Sequence, residues 1–364
     1  MDIVIYSILA LHVLIHLAML VGLINNTKKP AESNYEPRVS IVICAKDEED
    51  SIGDCIDSLL ELDYPNGKLE IILVNDRSAD KTKEIMLLHA AGNSVLKYLE
   101  ITESIGKLKG KANALAQALK TVTGEIIFTT DADIKVNKKW VREILNYYDE
   151  NTGVVSGYSV IEPKNLVWGI QSVDWLYLLS VASGGDGIGI PISCVGNNMS
   201  YRKKAYNEVG GYENIKFSVT EDFMLLQNIS KKTSYKTKFP VNNDTKNITL
   251  PCLTLKQLSG QKKRWAAGGL GAPNWGVLVG IFSWIAGAVL LSGWAYLCWQ
   301  TYLAFLIIKL ISDSLFLFPA IREFKMFKAY IYVIAFEIYF AIYVIITSLL
   351  LVTGRGVVWK DQKI

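Results

Sequence analysis

The stretch Glu125-Ile126-Ile127-Phe128-Thr129-Thr130-Asp131-Ala132-Asp133 joins an apolar run to two closely spaced carboxylates. Such a run predicts a buried strand, and the two aspartates lie where that strand ends. Because alternate residues of an extended chain point to the same side, Asp131 and Asp133 present hard oxygen ligands together. Ligands of this kind suit Mg²⁺ or Mn²⁺, although a solvated pair of loop carboxylates is the alternative for an isolated pattern.

Upstream of this strand the pattern alternates between short apolar runs and longer amphipathic ones. It predicts strands at 39–45, 69–74, 95–100 and 125–130, and helices at 50–62, 80–91 and 110–121. This rhythm indicates an α/β domain with a mostly parallel sheet that is covered on both faces. Such sheets bind ligands beyond the carboxyl ends of their strands, so residues 45–48, 75–76 and 131–133 should converge on one cleft.

Length and composition leave room for more than this domain. The chain has 364 residues, of which 51% are hydrophobic, and its mean hydropathy of +0.24 reflects apolar residues gathered at both ends. One α/β domain plus a membrane part fits this length. The net charge of +3 is nearly balanced, which argues against a nucleic-acid partner.

The first 25 residues are predicted to form a transmembrane helix, followed by a linker at 26–36. The absence of a small-residue cleavage site favours an uncleaved anchor over a signal peptide. Lys28, Lys29 and Arg38 follow this helix, so the positive-inside rule places the next domain in the cytoplasm. We therefore expect an integral protein of the cell membrane.

Three more apolar runs lie within residues 274–354 and predict three further transmembrane helices, ahead of a polar tail at 355–364. The loop at 322–328 is basic and should be cytoplasmic, which leaves the tail outside. The tail nevertheless carries Arg355, Lys360 and Lys363, so a re-entrant run is an alternative. Within these runs, Lys309 and Asp313 stand four residues apart and are expected to pair.

The spacing of the histidines and cysteines does not indicate a metal site. His12 and His16 share one face of the first helix at i,i+4, and helix packing or a position at the membrane interface is favoured over a metal pair because no third ligand is evident. The five cysteines show no CxxC spacing, which fits free thiols in a reducing compartment.

Thr220-Glu221-Asp222 opens an amphipathic stretch in the second half of the domain. A carboxylate beside an acceptor hydroxyl can remove its proton, which makes Asp222 a candidate general base. The alternative is an acidic pair that merely stabilises a helix start. Lys111 lies at the predicted helix start near Gly110 and can reach a phosphate, with a solvated basic loop as the alternative.

A basic amphipathic helix is predicted for residues 253–273, just before the second apolar run. Gln261, Arg264 and Trp265 share one side of it at i, i+3 and i+4. Arginine suits a diphosphate, and tryptophan offers a flat face for a sugar ring or an acceptor near lipid. An ordinary interfacial helix is the alternative. The helix predicted from residue 166 to 181 fits either the membrane surface or a core.

These motifs form an ordered set: Asp131-Ala132-Asp133, Thr220-Glu221-Asp222 and Gln261-Lys262-Lys263-Arg264-Trp265, with Val74-Asn75-Asp76 upstream. The set resembles the DxD, ED and QxxRW signatures of membrane-anchored family 2 glycosyltransferases, which include ceramide glucosyltransferases, hyaluronan synthases and cellulose synthases. The resemblance extends over residues 37–270. It implies a cytoplasmic catalytic domain of the Rossmann-like GT-A fold at 37–252 between N- and C-terminal transmembrane helices.

The resemblance also implies roles for individual residues. Asp222 would be the general base, with Glu221 beside it, and Asp133 would be the closer ligand of Mg²⁺ or Mn²⁺, with Asp131 nearer the ribose and donor sugar. Asp76 would accept a hydrogen bond from the uracil ring. The remaining residues implied in donor binding are Ala45, Lys46, Glu48, Lys111 and Arg264, and those implied in acceptor binding are Gln261, Trp265 and Asn198.

The activity that this implies is transfer of a sugar from a UDP-sugar to a membrane lipid or lipid-linked acceptor, with inversion at the anomeric carbon. Residues 220–224, Thr-Glu-Asp-Phe-Met, are closer to the pattern of glycolipid-forming relatives. A processive polysaccharide synthase is the alternative enzyme, and it would need a translocation channel. A subunit that binds nucleotide-sugars without catalysis and supports a membrane synthase is the non-enzymatic alternative.

Overall fold

The strand that ends at Asp131 lies in the middle of a seven-stranded sheet. The computed structural model describes residues 2–269, 274–352, 358–359 and 362–363. These divide into two units. We call Lys29–Val160 and Ser193–Leu250, with two short strands near the C-terminus, the sheet unit. Residues 2–28, Ile161–Ile192 and the described residues from 251 to 352 form the helical unit.

The strands are β1 (Val39–Ala45), β2 (Leu69–Asn75), β3 (Leu96–Glu100), β4 (Ile126–Asp131), β5 (Thr152–Ser156), β6 (Ser159–Val160), β7 (Met199–Arg202), β8 (Lys236–Lys238), β9 (Asn247–Ile248), β10 (Val358–Trp359) and β11 (Gln362–Lys363). The large sheet has the order β3-β2-β1-β4-β7-β5-β8. Its first four strands are parallel, as predicted, and β7 runs antiparallel between β4 and β5.

The helices are α1 (Asp2–Asn26), α2 (Ile52–Leu60), α3 (Thr82–Ala90), α4 (Gly110–Leu119), α5 (Trp140–Leu145), α6 (Leu166–Gly187), α7 (Lys203–Glu208), α8 (Gly211–Asn214), α9 (Glu221–Lys232), α10 (Leu255–Gly269), α11 (Asn274–Ser292), α12 (Trp299–Glu323) and α13 (Val333–Val352). The predicted helices 50–62, 80–91 and 110–121 correspond to α2, α3 and α4, which are shorter by up to two residues at each end.

The sheet unit has a hydrophobic core on each face of its sheet. On β1, Ile41 and Ile43 pack into one core with Trp140, whereas Val42 packs into the other with Leu115. Successive strand residues point to opposite faces, so a continuous apolar strand contributes to both cores. The strand ends are therefore held firmly, and the polar residues that follow them have defined positions.

Helices α1, α6, α10, α11, α12 and α13 belong to the helical unit. Helix α6 packs closely along α1, where a Cβ on Gly22 would lie 1.9 Å from the carbonyl oxygen of Gly184. It also contacts α12 and α13, so it is a packed helix of this unit. All five cysteines, at positions 44, 55, 194, 252 and 298, carry free thiols, as expected.

Among the described residues, four helices are long and apolar enough to cross a bilayer: Asp2–Asn26, Gly276–Ala295, Trp299–Glu323 and Phe327–Leu349. They agree with the four spans predicted from the sequence and fit membrane anchoring. In the polar tail, β10 and β11 form a short antiparallel pair. Arg355 and Lys360 lie outside the described residues, and the boundaries assigned to the linker, the interfacial helix and the tail stay predictions.

Candidate active site

The carboxyl ends of β1, β2 and β4 meet at one edge of the sheet. Ala45 pairs with Asn75 on one side, and Cys44 pairs with Asp131 on the other. The three segments that follow these strands therefore begin side by side, as parallel strands in register require. The candidate site is built on this edge.

The loops after β1 and β2 are joined through Asp47, which the sequence did not single out. Its backbone is left-handed, with φ at 53°. Its amide donates to Ser78 Oγ at 3.1 Å, and its Oδ1 accepts from the amide of Ala79 at 2.8 Å. The neighbouring amide of Glu48 donates to Thr82 Oγ1 at 2.8 Å. These hydrogen bonds hold Lys46 and Glu48, which are predicted to bind the sugar donor, between the ends of β1 and β2.

Asp76 is buried directly after β2, with 1% of its surface exposed. The guanidinium of Arg77 donates to Asp76 Oδ1 from Nε at 3.0 Å and from Nη2 at 2.8 Å. Oδ2 of Asp76 is buried and has no hydrogen-bond partner within the described part of the chain. Leaving a buried carboxylate oxygen unpaired is costly, so this oxygen is well suited to a donor group supplied by a ligand.

Lys111 connects the motif Asp131-Ala132-Asp133 with the motif Thr220-Glu221-Asp222. It follows Gly110, whose φ of 53° starts α4 in a left-handed conformation that glycine adopts without strain. The lysine forms an ion pair with Asp131, and its Nζ lies 3.7 Å from Glu221 Oε1. Although burial opposes its charge, Asp131 and Glu221 hold the pKa of Lys111 above its usual range. It is therefore a fixed cation among carboxylates.

Asp133 lies among negative charges, which is the condition that a divalent cation relieves. Burial, and then the charges of Asp131 and Glu48, raise the pKa of Asp133 to about 7. A carboxyl group acquires such a pKa when its ionised form lacks a compensating charge. The hard oxygen donors of Asp131, Asp133 and Glu48 fit Mg²⁺ or Mn²⁺.

Glu221 and Asp222 begin α9 beside the loop that precedes β7. Oδ1 of Asp222 accepts from the amide of Phe223 at 2.8 Å, and a Cβ on Gly196 would lie 3.0 Å from Asp222 Oδ2. Burial raises the pKa of Asp222 against the opposing charge of Lys111. Burial likewise raises the pKa of Glu221 to about 7 against Lys111, and Asp222 adds to the rise. The pKa of Glu221 thus lies near neutral pH, and that of Asp222 is shifted in the same direction, as suits groups that exchange protons.

The loop beside Asp222 is held by buried polar groups. Thr129 Oγ1 donates to the carbonyl oxygen of Gly196 at 2.9 Å. Asn198 is 1% exposed; its Oδ1 accepts from Trp140 Nε1 at 2.8 Å, and its Nδ2 donates to the carbonyl oxygen of Tyr158 at 2.8 Å. In this structure the amide of Asn198 stabilises the loop, and its predicted contact with an acceptor stays a prediction.

The third motif lies on α10 in the helical unit. Gln261, Arg264 and Trp265 are partly buried, and the ring of Trp265 meets that of Trp175 edge to face at 5.0 Å between centroids. The role of Arg264 in donor binding stays a prediction. The same holds for the roles of Gln261 and Trp265 in acceptor binding.

Within the same motif, Lys262 is the residue that sequence reasoning missed. It is 3% exposed, forms an ion pair with the buried Asp174 of α6, and lies 4.3 Å above the centroid of the Trp265 ring and 4.5 Å above that of Tyr343. The ion pair anchors α10 to α6, and the cation–π contact with Tyr343 links α10 to α13. Lys262 stands in a run of basic residues, which gives no local sign that its side chain is buried. Its partner Asp174 could therefore not be predicted.

Comparison with known proteins assigns both halves of the chain to related families. The model described as Glycosyl transferase family 2 matches residues 40–210, and the one described as Glycosyl transferase family group 2 matches residues 126–352. The chain is 31% identical over 242 residues to a beta-monoglucosyldiacylglycerol synthase of Trichormus variabilis, covering 64% of this chain and 49% of that protein.

A poly-beta-1,6-N-acetyl-D-glucosamine synthase of Staphylococcus epidermidis is 26% identical over 188 residues, which cover 50% of this chain and 43% of the synthase. This chain thus spans about half the length of the curated relatives that it matches. Among solved structures, a mannosyltransferase of Pyrobaculum calidifontis in complex with GDP-Man and Mn²⁺ has a similar fold, with a TM-score of 0.62 and 20% identity, and the match covers 93% of this chain and 99% of that one.

Proposed function

This chain belongs to glycosyl transferase family group 2, and from that premise we propose that it transfers a hexose from a UDP-sugar to a lipid or lipid-linked acceptor at the membrane. The observation that carries the proposal is the cluster of Asp131, Asp133, Lys111, Glu221 and Asp222 at one edge of the sheet. It combines oxygen ligands for a cation, a fixed positive charge and two buried carboxyl groups.

We propose that Asp76 recognises the base of the donor. Its buried Oδ2 is available to accept the uracil ring N–H, because Arg77 occupies the other oxygen. Ala45 ends the neighbouring strand β1, and Lys46 and Glu48 follow it; all three are proposed to bind the donor as well. Lys111 and Arg264 contribute the positive charges that bind the diphosphate.

Asp133 and Asp131 would hold Mg²⁺ or Mn²⁺, with Glu48 adding to the negative charge of the site. When bound, the ion neutralises charge on the departing diphosphate. The ion pair of Lys111 with Asp131 keeps a cation beside this position and orients the carboxylate. The charge of Lys111 therefore stabilises the leaving diphosphate directly. Its ion pair also positions Asp131, which is a proposed metal ligand.

Asp222 would act as the general base. Its carboxylate takes the proton of the acceptor hydroxyl while the oxygen bonds to the anomeric carbon and the bond from that carbon to UDP breaks. Attack opposite the leaving group inverts the configuration, so an α-linked donor gives a β-linked product. Glu221 begins the same helix, and both it and Asp222 face the charge of Lys111. The protonation of Glu221 therefore affects that of Asp222.

A membrane acceptor is supported by the four apolar helices and by the name of the glucosyldiacylglycerol synthase relative. Gln261, Trp265 and Asn198 are proposed to contact it. Lys28 and Lys29 after the first span support a cytoplasmic catalytic domain in a protein of the cell membrane. The similarity to a polysaccharide synthase favours a processive synthase as the second candidate.

The test is transfer of label from UDP-glucose, UDP-galactose, UDP-N-acetylglucosamine and GDP-mannose into a total lipid extract, using the purified full chain with Mn²⁺ or Mg²⁺. We expect a chloroform-soluble product from one UDP-sugar, and we expect Asp222→Asn to abolish it. Asp244→Asn is the matched control, since Asp244 lies 3.9 Å from Lys29 and away from these motifs.

Each alternative predicts a different result from the same experiment. Label that appears only in a water-soluble fraction of high molecular weight would favour the polysaccharide synthase. Binding of UDP without transfer from any donor would favour the accessory subunit. Transfer that survives Asp222→Asn would remove Asp222 from the role of base while leaving the family assignment intact.

A further inference from the structure

A cluster of polar side chains lies inside the helical unit, where α1, α6 and α12 meet. His12 and His16 of α1 are 5% and 7% exposed, and both turn Nε2 towards the same oxygen of Asp313 on α12. The distances from Asp313 Oδ1 are 2.9 Å to His12 Nε2 and 3.2 Å to His16 Nε2. The hydroxyl of Tyr177 on α6 lies 3.0 Å from His16 Nε2. Asp313, which stands 301 positions after His12, thus supplies the third ligand that the histidine spacing did not indicate.

The hydrogen bonds of His16 determine which of its nitrogens carries the proton. Its Nδ1 lies 3.0 Å from the carbonyl oxygen of His12, which can only accept, so Nδ1–H is the donor. In the neutral ring Nε2 then holds a lone pair, and that lone pair faces the carboxylate oxygen of Asp313. The two lone pairs are 3.2 Å apart, and a shared cation would turn their repulsion into coordination. The Tyr177 hydroxyl can donate to Nε2, but this does not bridge the nitrogen to the carboxylate. Imidazoles that bind metals orient themselves in this way, with the second N–H given to a carbonyl.

The charges of the cluster also favour a bound cation. Lys309 Nζ donates to Asp313 Oδ2 at 2.6 Å and forms an ion pair with Glu337 of α13. The single charge of Lys309 faces two carboxyl groups, so with neutral imidazoles and both carboxyl groups ionised the cluster would carry one uncompensated negative charge. A buried charge without compensation costs several kcal/mol in an apolar environment. Lys309 occupies Oδ2 only, which leaves Oδ1 to the two histidines.

We propose that His12, His16 and Asp313 form a binding site for Zn²⁺ or a similar divalent transition-metal ion within the helical unit. Two imidazole nitrogens and a carboxylate oxygen are a zinc ligand set, and histidines at i,i+4 on a helix supply two of its corners. Tetrahedral ligands at about 2.0–2.1 Å from zinc lie roughly 3.4 Å apart. The separations of 2.9 and 3.2 Å approach that spacing, and all three ligand atoms lie within 4.8 Å of one another.

The fourth position is filled by the Tyr177 hydroxyl or by one water. A cavity of about 10 Å³ adjoins the cluster, lined among others by His12, Tyr177 and Glu337. That volume holds no more than one water molecule, so a substrate does not fit. The site is therefore structural: the ion joins α1, which is near the start of the chain, to α12, which follows the third motif.

The experiment uses the full chain, purified without a histidine tag and equilibrated with zinc, then freed of loosely bound metal. Metal analysis by mass spectrometry should find about one zinc per chain in the wild type. The double variant His12→Gln/His16→Gln should lose it. His89→Gln is the matched control, because His89 is the third and last histidine of the sequence and lies on α3 of the sheet unit. Asp133→Asn should keep the zinc, which separates this site from the candidate active site.

X-ray absorption at the zinc edge of the wild type provides a second measurement that does not depend on how the variants fold. We expect nitrogen and oxygen neighbours at about 2.0–2.1 Å, with imidazole outer scattering and no sulfur. A wild type that binds no more zinc than the double variant would overturn the proposal and leave a protonated imidazole as the compensating charge. Sulfur in the first coordination shell would overturn it as well, since it would assign the metal to cysteine.

Discussion

Replacing Asp133 by asparagine should stabilise the metal-free protein while it abolishes transfer. The pKa of this carboxyl is raised by burial and by its acidic neighbours from 3.8 to about 7. A carboxyl with a raised pKa binds its proton more tightly in the folded state, so stability falls as pH rises from about 4 to about 7. Above about pH 7 the ionised group carries the whole penalty, which asparagine removes.

The size of the effect follows from the shift. Three pKa units correspond to about 4 kcal/mol, at 1.36 kcal/mol per unit. The repulsion is shared with Asp131 and Glu48, so part of it remains in the variant, and we expect a gain of about 2 kcal/mol. For a unit the size of the sheet unit this corresponds to a rise in Tm of roughly 4–8 °C near pH 8, shrinking towards zero near pH 4.

The assay is thermal unfolding of the purified full chain with a chelator, across that pH range. Added Mn²⁺ should raise the Tm of the wild type near pH 8 and leave the variant almost unchanged, since the ion binds only the ionised site. Asp149→Asn is the matched control. Although burial opposes ionisation of Asp149, hydrogen bonds from Lys238 at 2.9 Å and from Thr152 lower its pKa, so this variant should lose stability at neutral pH.

The reasoning is refuted if Asp133→Asn has the same Tm as the wild type near pH 8. It is equally refuted if the gain is independent of pH, because a change in packing rather than in charge would then be its cause. A gain in stability together with full activity would also remove Asp133 from the proposed metal site.

Three further predictions concern other parts of the molecule. Because burial raises the pKa of Glu221 to about 7, log(kcat/KM) should rise with pH along an acidic limb near that value, and Glu221→Gln should shift the limb. Asp76→Asn should weaken UDP binding by about tenfold in calorimetry, with kcat less affected, since it removes a charged hydrogen-bond acceptor. Lys262→Met should leave Asp174 buried and unpaired and cost about 3–5 kcal/mol, measured by unfolding, whereas Lys262→Met/Asp174→Leu should recover much of the loss.

The sheet and its polar edge could be predicted because their signals are local. Side chains of a strand alternate between two faces, so the apolar runs at 39–45 and 126–130 indicate strands that are buried on both sides. The rule that parallel strands bind ligands at their carboxyl ends then brings Asp76 and Asp131 to one edge. The insertion of β7 between β4 and β5 has no such signal, because strand pairing depends on distant residues.

The candidate site was predicted as a set of motifs but not as a set of charges. Spacing indicated Asp131, Lys111 and Asp222, whereas the ion pair of Lys111 with Asp131 and its approach to Glu221 arise from the packing of α4 against β1 and β2 and of α9 against β5 and β8. The raised pKa of Asp133 depends on burial, which no short pattern encodes. Asp47 was missed because an aspartate in a polar loop looks the same whether or not it bonds a second loop.

Residue order and spacing alone were enough for the α/β class, the four apolar helices, the ordered motifs and the i,i+4 pair of His12 and His16. Periodicity and composition are properties of neighbouring residues, and the family signatures are read in the same way. Which side chains become partners is a different kind of information: His12 and Asp313 stand 301 positions apart, and Lys262 and Asp174 stand 88 apart. Contacts of that kind, and the desolvation that gives them their energies, exist only when helices and strands have packed together.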